Sequence, residues 1–110
     1  MVRVMSFLEQ TPRLYTRSAI ESVNPGQMGV YGILKRGAWI YVGSGDIRTR
    51  MLAHFHGDNP DINRETPRYW VSEITTRYIE REKELIVEHT PVCNSEKLVT
   101  VRWDQVEGTG

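Results

Sequence analysis

The chain has 110 residues and a mass of 12.7 kDa, with 14 Lys and Arg balanced by 14 Asp and Glu for a formal net charge of zero. That length fits one domain, and 39% hydrophobic with 25% charged residues excludes an intrinsically disordered chain. The single cysteine, Cys93, excludes an intrachain disulfide, no apolar run approaches the ~20 residues of a membrane helix, and residues 1–8 lack a secretory apolar stretch. The expectation is a cytoplasmic protein that makes no membrane contact.

The first 27 residues read as an N-terminal segment, with Phe7, Leu8, Leu14, Tyr15, Ala19 and Ile20 supplying apolar contacts and a short helix near Thr16–Val23. Asn24-Pro25-Gly26 then breaks regular structure. A core over residues 28–94 opens with a hairpin. Val30–Leu34 and Ala38–Val42 are β-branched and aromatic, joined by a Lys35-Arg36-Gly37 loop whose glycine suits a left-handed turn position. Closing that hairpin at Leu34 and Ala38 sets Tyr31 opposite Tyr41, two phenols on one sheet face.

Gly43-Ser44-Gly45 precedes a helix capped by Asp46 and running to about Phe55, with Ile47, Met51 and Phe55 as its apolar stripe. A glycine pair before a helix invites a phosphate, although so short a pattern is also common in turns. Residues 57–67 read as a loop, Arg68–Ile74 as a third strand, and Thr75 or Thr76 as the cap of a helix running to about His89 and stopped by Pro91. Residues 95–110 form a C-terminal extension, with a strand over Leu98–Trp103 and a frayed tail. Together these elements predict a small α+β domain, a three-stranded, mainly antiparallel sheet flanked by helices.

Charge is unevenly spread. Residues 29–56 carry Lys35, Arg36, Arg48 and Arg50 against Asp46 alone, whereas residues 80–110 carry seven acids against four bases. Lys35, Arg36, Ser44 and Arg48 are therefore the candidate nucleic-acid contacts, but the overall balance lacks the basic surplus of a dedicated nucleic-acid binder.

The last helix holds an anomaly. At ~100° per residue, Tyr78, Leu85, Ile86 and His89 fall in one quadrant, and Glu82 falls among them. A carboxylate on an apolar face needs a hydrogen bond, a counter-charge or a metal. Arg50 and His54 stand one turn apart on the preceding helix, flanking its stripe; taken alone, such a pair is ordinary surface decoration. His54, His56 and Asp58 match no closed zinc ligand set.

In combination these positions resemble the GIY-YIG nuclease superfamily. Gly29-Val30-Tyr31, nine residues, and Tyr41-Val42-Gly43 match its paired tripeptides. Arg50 and His54 match its arginine and the histidine one turn on, although the Gly43-Ser44-Gly45-Asp46 link is one residue shorter than in the excision-repair branch. Glu82 before Leu85-Ile86, with Pro91 and Asn94 following, matches its metal-binding glutamate and distal asparagine. The resemblance spans residues 26–94 and implies a metal-dependent DNA endonuclease leaving 5′-phosphate and 3′-hydroxyl ends, in repair or related roles.

By that resemblance Glu82 holds Mg²⁺ or Mn²⁺, and Arg50 stabilises the transition state. Tyr31 is the general base and Tyr41 a supporting or phosphate-contacting phenol, the two roles being exchangeable. His54 holds phosphate or relays protons, Asn94 orients the site, and Gly29 with Gly43, beside Val30 and Val42, permits close packing. Two rival readings stand beside it: a nucleic-acid-binding module without turnover, and a subunit that needs a partner. A homodimer or partner protein would then supply specificity, with Trp39, Trp103 or the N-terminal segment as the interface.

Overall fold

The computed structural model describes residues 6–94. In chain order these form β1 (Arg13–Leu14), α1 (Arg17–Glu21), β2 (Met28–Lys35), β3 (Ala38–Asp46), α2 (Ile47–Phe55), α3 (Pro60–Arg64), β4 (Tyr69–Ile74) and α4 (Tyr78–His89), then a 3₁₀ turn over Val92–Asn94. The class is α+β. The sheet is antiparallel, in the order β1-β4-β2-β3. It has four strands rather than the expected three, because the two-residue β1 pairs with β4. Trp70 holds β1 there, its indole N–H donating to the Leu14 carbonyl at 3.0 Å. The expected strand over Leu98–Trp103 lies outside the described residues, as do the tail and Trp103.

The hairpin differs from expectation in register. Its loop is the pair Arg36-Gly37, closed by Lys35 opposite Ala38, with Gly37 left-handed at φ +79°. Leu34 then faces Trp39 while Ile33 faces Tyr41, leaving Ile40 as an extra residue on β3. This bulge places the adjacent Ile40 and Tyr41 in one cluster on the same face, where strict alternation would split them between the two faces. Tyr31 consequently stands opposite Gly43 instead of Tyr41. β3 also runs on to Asp46, so Gly43-Ser44-Gly45 is paired strand and not a phosphate-binding turn.

Each sheet face buries its own cluster. On one face Tyr31, Ile33, Tyr41 and Trp70 meet Ile20 of α1, Ile47 and Met51 of α2 and Ile62 of α3. On the other, Val30 and Val42 meet Leu85 and Ile86 of α4, joined by Phe7 and Tyr78. Trp39 is spent inside the chain, stacked on His89 at 4.1 Å and on Phe7 at 5.4 Å between ring centroids. Arg81 clamps α4 to β4 by a two-pronged contact with Glu73 at 2.6 and 3.1 Å.

Helix boundaries follow local chemistry. Thr16 caps α1 by accepting from the Ala19 N–H, and Asp46 caps α2 by accepting from Thr49. Residues 57–67 are not all loop: Asn59 caps α3 and Pro60 starts it, a pairing that favours a helix start. α4 begins one or two residues later than expected, with Arg77 rather than Thr75 or Thr76 at the N-cap. Thr75 spends its hydroxyl accepting from Arg77 N–H in the preceding turn, and the N-cap position, Arg77, has no side-chain cap. No helix among the described residues is long and apolar enough to cross a membrane.

Candidate active site

Three rings converge on the α2 face of the sheet. Tyr31 lies diagonal to Tyr41 across the hairpin with centroids 6.4 Å apart, and His54 of α2 sits 5.5 Å from Tyr31 and 5.0 Å from Tyr41. Tyr31 and His54 are each 1% exposed. The Tyr31 hydroxyl passes over Gly43: a Cβ there would occupy the space of the phenol oxygen. Gly29 plays a different part, since a Cβ on it would strike the Glu73 carbonyl of β4. Burial, followed by the neighbouring Tyr41, pushes the Tyr31 phenol well above its ordinary value, and the Arg50 guanidinium hydrogen-bonded to it opposes that shift.

The sequence places His54 on the flank of α2, but the structure buries it with Ile47 and Met51. What makes that burial tolerable is a partner at each ring nitrogen. Nε2 lies 2.8 Å from the Tyr31 hydroxyl, and Nδ1 lies 2.8 Å from Asp58 Oδ1. Asp58 is delivered by the helix terminus. His56 is the C-cap, Gly57 turns left-handed at φ +93°, Gly57 N–H donates to His54 O and Asp58 N–H to Ala53 O. That is a Schellman ending, and it folds the residue after the glycine back over the last turn. The other Asp58 oxygen lies 3.7 Å from an Arg50 nitrogen. Arg50 rests its stem near Gly45 and is 44% exposed, so the cluster opens to solvent along its side chain.

Glu82 belongs to the opposite face. It is half-buried on α4, and its carboxylate accepts from the Ser44 hydroxyl at 2.6 Å. Ser44 thus steadies Glu82, a role the sequence did not assign. Glu82 nonetheless acts electrostatically on Tyr31, and between them the β2–β3 ribbon carries no side chain at Gly43. Among the described residues no group of three or more His, Cys, Asp or Glu could hold a metal ion. A single carboxylate with a hydroxyl beside it fits a hard cation that keeps most of its water, such as Mg²⁺ or Mn²⁺.

Asn94 is fully buried on the outer edge of β3. Its carboxamide accepts from Val42 N–H at 2.7 Å and donates to Val42 O at 3.0 Å. It extends the sheet by one residue's worth of pairing and holds no ring of the cluster. Cys93 packs against the core beside it.

The expected nucleic-acid contacts do not gather. Lys35 forms an ion pair with Glu65 at 2.9 Å, and Arg36 is exposed at the hairpin tip, roughly 13–17 Å along the strand from Tyr31. Ser44 is engaged with Glu82, and Arg48 is half-buried on α2 with its Nε unpartnered. The structure therefore brings together Tyr31, Tyr41, Arg50 and His54, sets Glu82 behind Gly43, and keeps Asn94 at the edge. Asp58 is the residue that sequence reasoning missed as a partner of His54; Gly57 was its signal. No family model, curated protein or solved structure matches the chain.

Proposed function

We propose that this protein is a metal-dependent DNA endonuclease of the GIY-YIG type, acting in the cytoplasm. The observation that carries the reading is the Tyr31 hydroxyl bonded to His54 Nε2 with Arg50 beside it. A hydrolase needs a base for water and a cation for phosphate, and these three side chains supply both within one contact shell.

Because burial holds Tyr31 in its neutral form, the phenolate is not the resting base. The phenol instead takes a proton from the attacking water as its own proton passes to His54 Nε2. The leaving 3′-oxygen is protonated from solvent, giving 5′-phosphate and 3′-hydroxyl ends. Arg50 is the exposed member and meets the phosphate first. Its planar fork matches phosphate oxygens, and drawing it outward uncovers the Tyr31 hydroxyl. Glu82, with the Ser44 hydroxyl beside it, would hold the divalent cation, which when bound would supply charge neutralisation for the phosphate. Tyr41 packs edge-on to His54 and keeps the ring pair aligned.

The test is nicking of supercoiled plasmid and of branched DNA in Mg²⁺, Mn²⁺ or EDTA, with Glu82→Ala beside the wild type. Cleavage is expected in either metal, and both EDTA and Glu82→Ala abolish it while DNA binding persists. Cleavage that survives in Glu82→Ala overturns the reading. The zero net charge and the capture of Lys35 by Glu65 favour a second reading, a nuclease subunit whose DNA affinity comes from a partner chain or second copy. Activity restored only by a covalently fused DNA-binding domain would select it.

A further inference from the structure

Resting on the nuclease reading, we infer that Asp58 is a positioning residue: it fixes His54 in the tautomer that leaves Nε2 able to receive the Tyr31 proton. A carboxylate only accepts hydrogen bonds, so the 2.8 Å contact from Asp58 Oδ1 requires the proton of a neutral imidazole to sit on Nδ1. Nε2 is then the acceptor, and the 2.8 Å contact on that side is donated by the Tyr31 hydroxyl. Without Asp58 the opposite tautomer would present an N–H to Tyr31. The phenol would accept where it must give.

Asp58 also answers the charge that the transfer creates. When water yields a proton to the Tyr31 oxygen and the phenol proton moves to Nε2, His54 becomes an imidazolium held in a nearly sealed site. Asp58 carries the balancing negative charge one hydrogen bond away. Its second oxygen faces Arg50 at 3.7 Å, so it draws both the base's acceptor and the phosphate-binding cation toward one point. The backbone makes this placement stiff, because the Gly57 turn and the Asp58 N–H bond to Ala53 set the carboxylate's position before any side-chain rotation.

The test uses the full chain as wild type, Asp58→Asn, Asp58→Ala and Asp58→Glu, with Asp61→Asn as a control for charge lost from the neighbouring α3. Long-range nitrogen–proton NMR of the three histidines reads the His54 tautomer without DNA or metal. Plasmid nicking gives kcat and KM separately. Asp58 is 38% exposed, but its removal takes a partner from the buried His54 Nδ1, so circular dichroism and melting curves check that each variant is folded.

The wild type is expected to show the Nδ1–H form, and Asp58→Asn and Asp58→Ala a gain in Nε2–H. Their kcat should fall about 10- to 100-fold, the range usual for a group that orients another, with any change in KM for DNA, through Arg50, smaller than the loss in kcat, and with partial recovery in Asp58→Glu. Asp61→Asn should match the wild type in both readouts. An unaltered tautomer in Asp58→Asn and Asp58→Ala overturns the inference, and so does a shifted tautomer with kcat unchanged. If no variant cleaves DNA, wild type included, but the tautomer shifts, the nuclease reading fails while the hold of Asp58 on His54 stands.

Discussion

Tyr31 is held by a ring neighbour, a hydrogen-bond acceptor and a gap in the opposing strand, and each constraint has a separable consequence. Tyr31→Phe keeps the ring and deletes the donor to His54. Nicking should fall about 100- to 10,000-fold, as for loss of a general base. The orphaned His54 nitrogen should cost about 1–3 kcal/mol of stability in denaturant unfolding. Gly43→Ala attacks the same atom from the other strand, since its methyl would fall on the phenol oxygen. It should reduce nicking comparably and destabilise by about 1–3 kcal/mol through overpacking, with Tyr31 intact in sequence. A fully active Gly43→Ala protein would show that the phenol need not lie over the strand.

At the scale of elements, α2 is the part that positions most of the cluster, and it is anchored at both ends. Asp46 accepts from Thr49 N–H and from Gly26 N–H, joining the helix start to the turn before β2. These bonds favour the charged carboxylate, chiefly the one from Thr49, and hold it below its ordinary value. Its contribution is thus complete above the unfolded carboxyl range, ~3.9, and is lost as pH falls through the lower folded value. Asp46→Ala should lower Tm by about 4–8 °C near neutral pH, and the gap should close in acid. Melting curves from pH 7 down to pH 2 check the sign.

Both anchors of α2 were legible in the sequence: Asp46 ahead of the Ile47-Met51 stripe, and Gly57 just past its end. Asn59-Pro60 is likewise a helix-start signal for α3 that the sequence carries. The Ile40 bulge was not legible, because local residues there suit either register. What selects it is that Ile40 and Tyr41 both find cover, a property of the packed faces. The same limit applies to His54. Its burial depends on Tyr31 and Asp58 arriving from a strand and a turn, which helical phase alone does not show. Glu82 was readable as an anomaly on its stripe, whereas its bond to Ser44 was not, since the two are 38 residues apart.

At the scale of the molecule, several bases among the described residues are answered by acids. The basic stretch over residues 29–56 loses Lys35 to Glu65 and shares Arg50 with Asp58. Binding to bare duplex should therefore be weak, with a salt dependence equivalent to a few released counterions, which fluorescence anisotropy across a potassium chloride series measures. The fold gains more from its two-sided core and from edge closure. Asn94→Ala removes two buried hydrogen bonds and leaves both Val42 backbone groups unpaired, so a loss of about 2–6 kcal/mol is expected, at about 1–3 for each group. Hydrogen exchange at the Val42 amide should accelerate with it.

That carboxamide also bears on how copies of the protein behave toward one another. An open strand is a template for any other extended chain, and among the described residues this sheet closes its outer border at Val42 of β3. Its β1 border is two residues long, and on the β3 border an asparagine side chain imitates the strand that would otherwise be recruited. Opening the short turn over Val92–Asn94 would strip away that imitation while leaving the central strands joined. Such a species would be sticky before it was unfolded. Warmed Asn94→Ala protein should scatter light below its own melting temperature and in proportion to concentration, while the wild type stays clear until it melts.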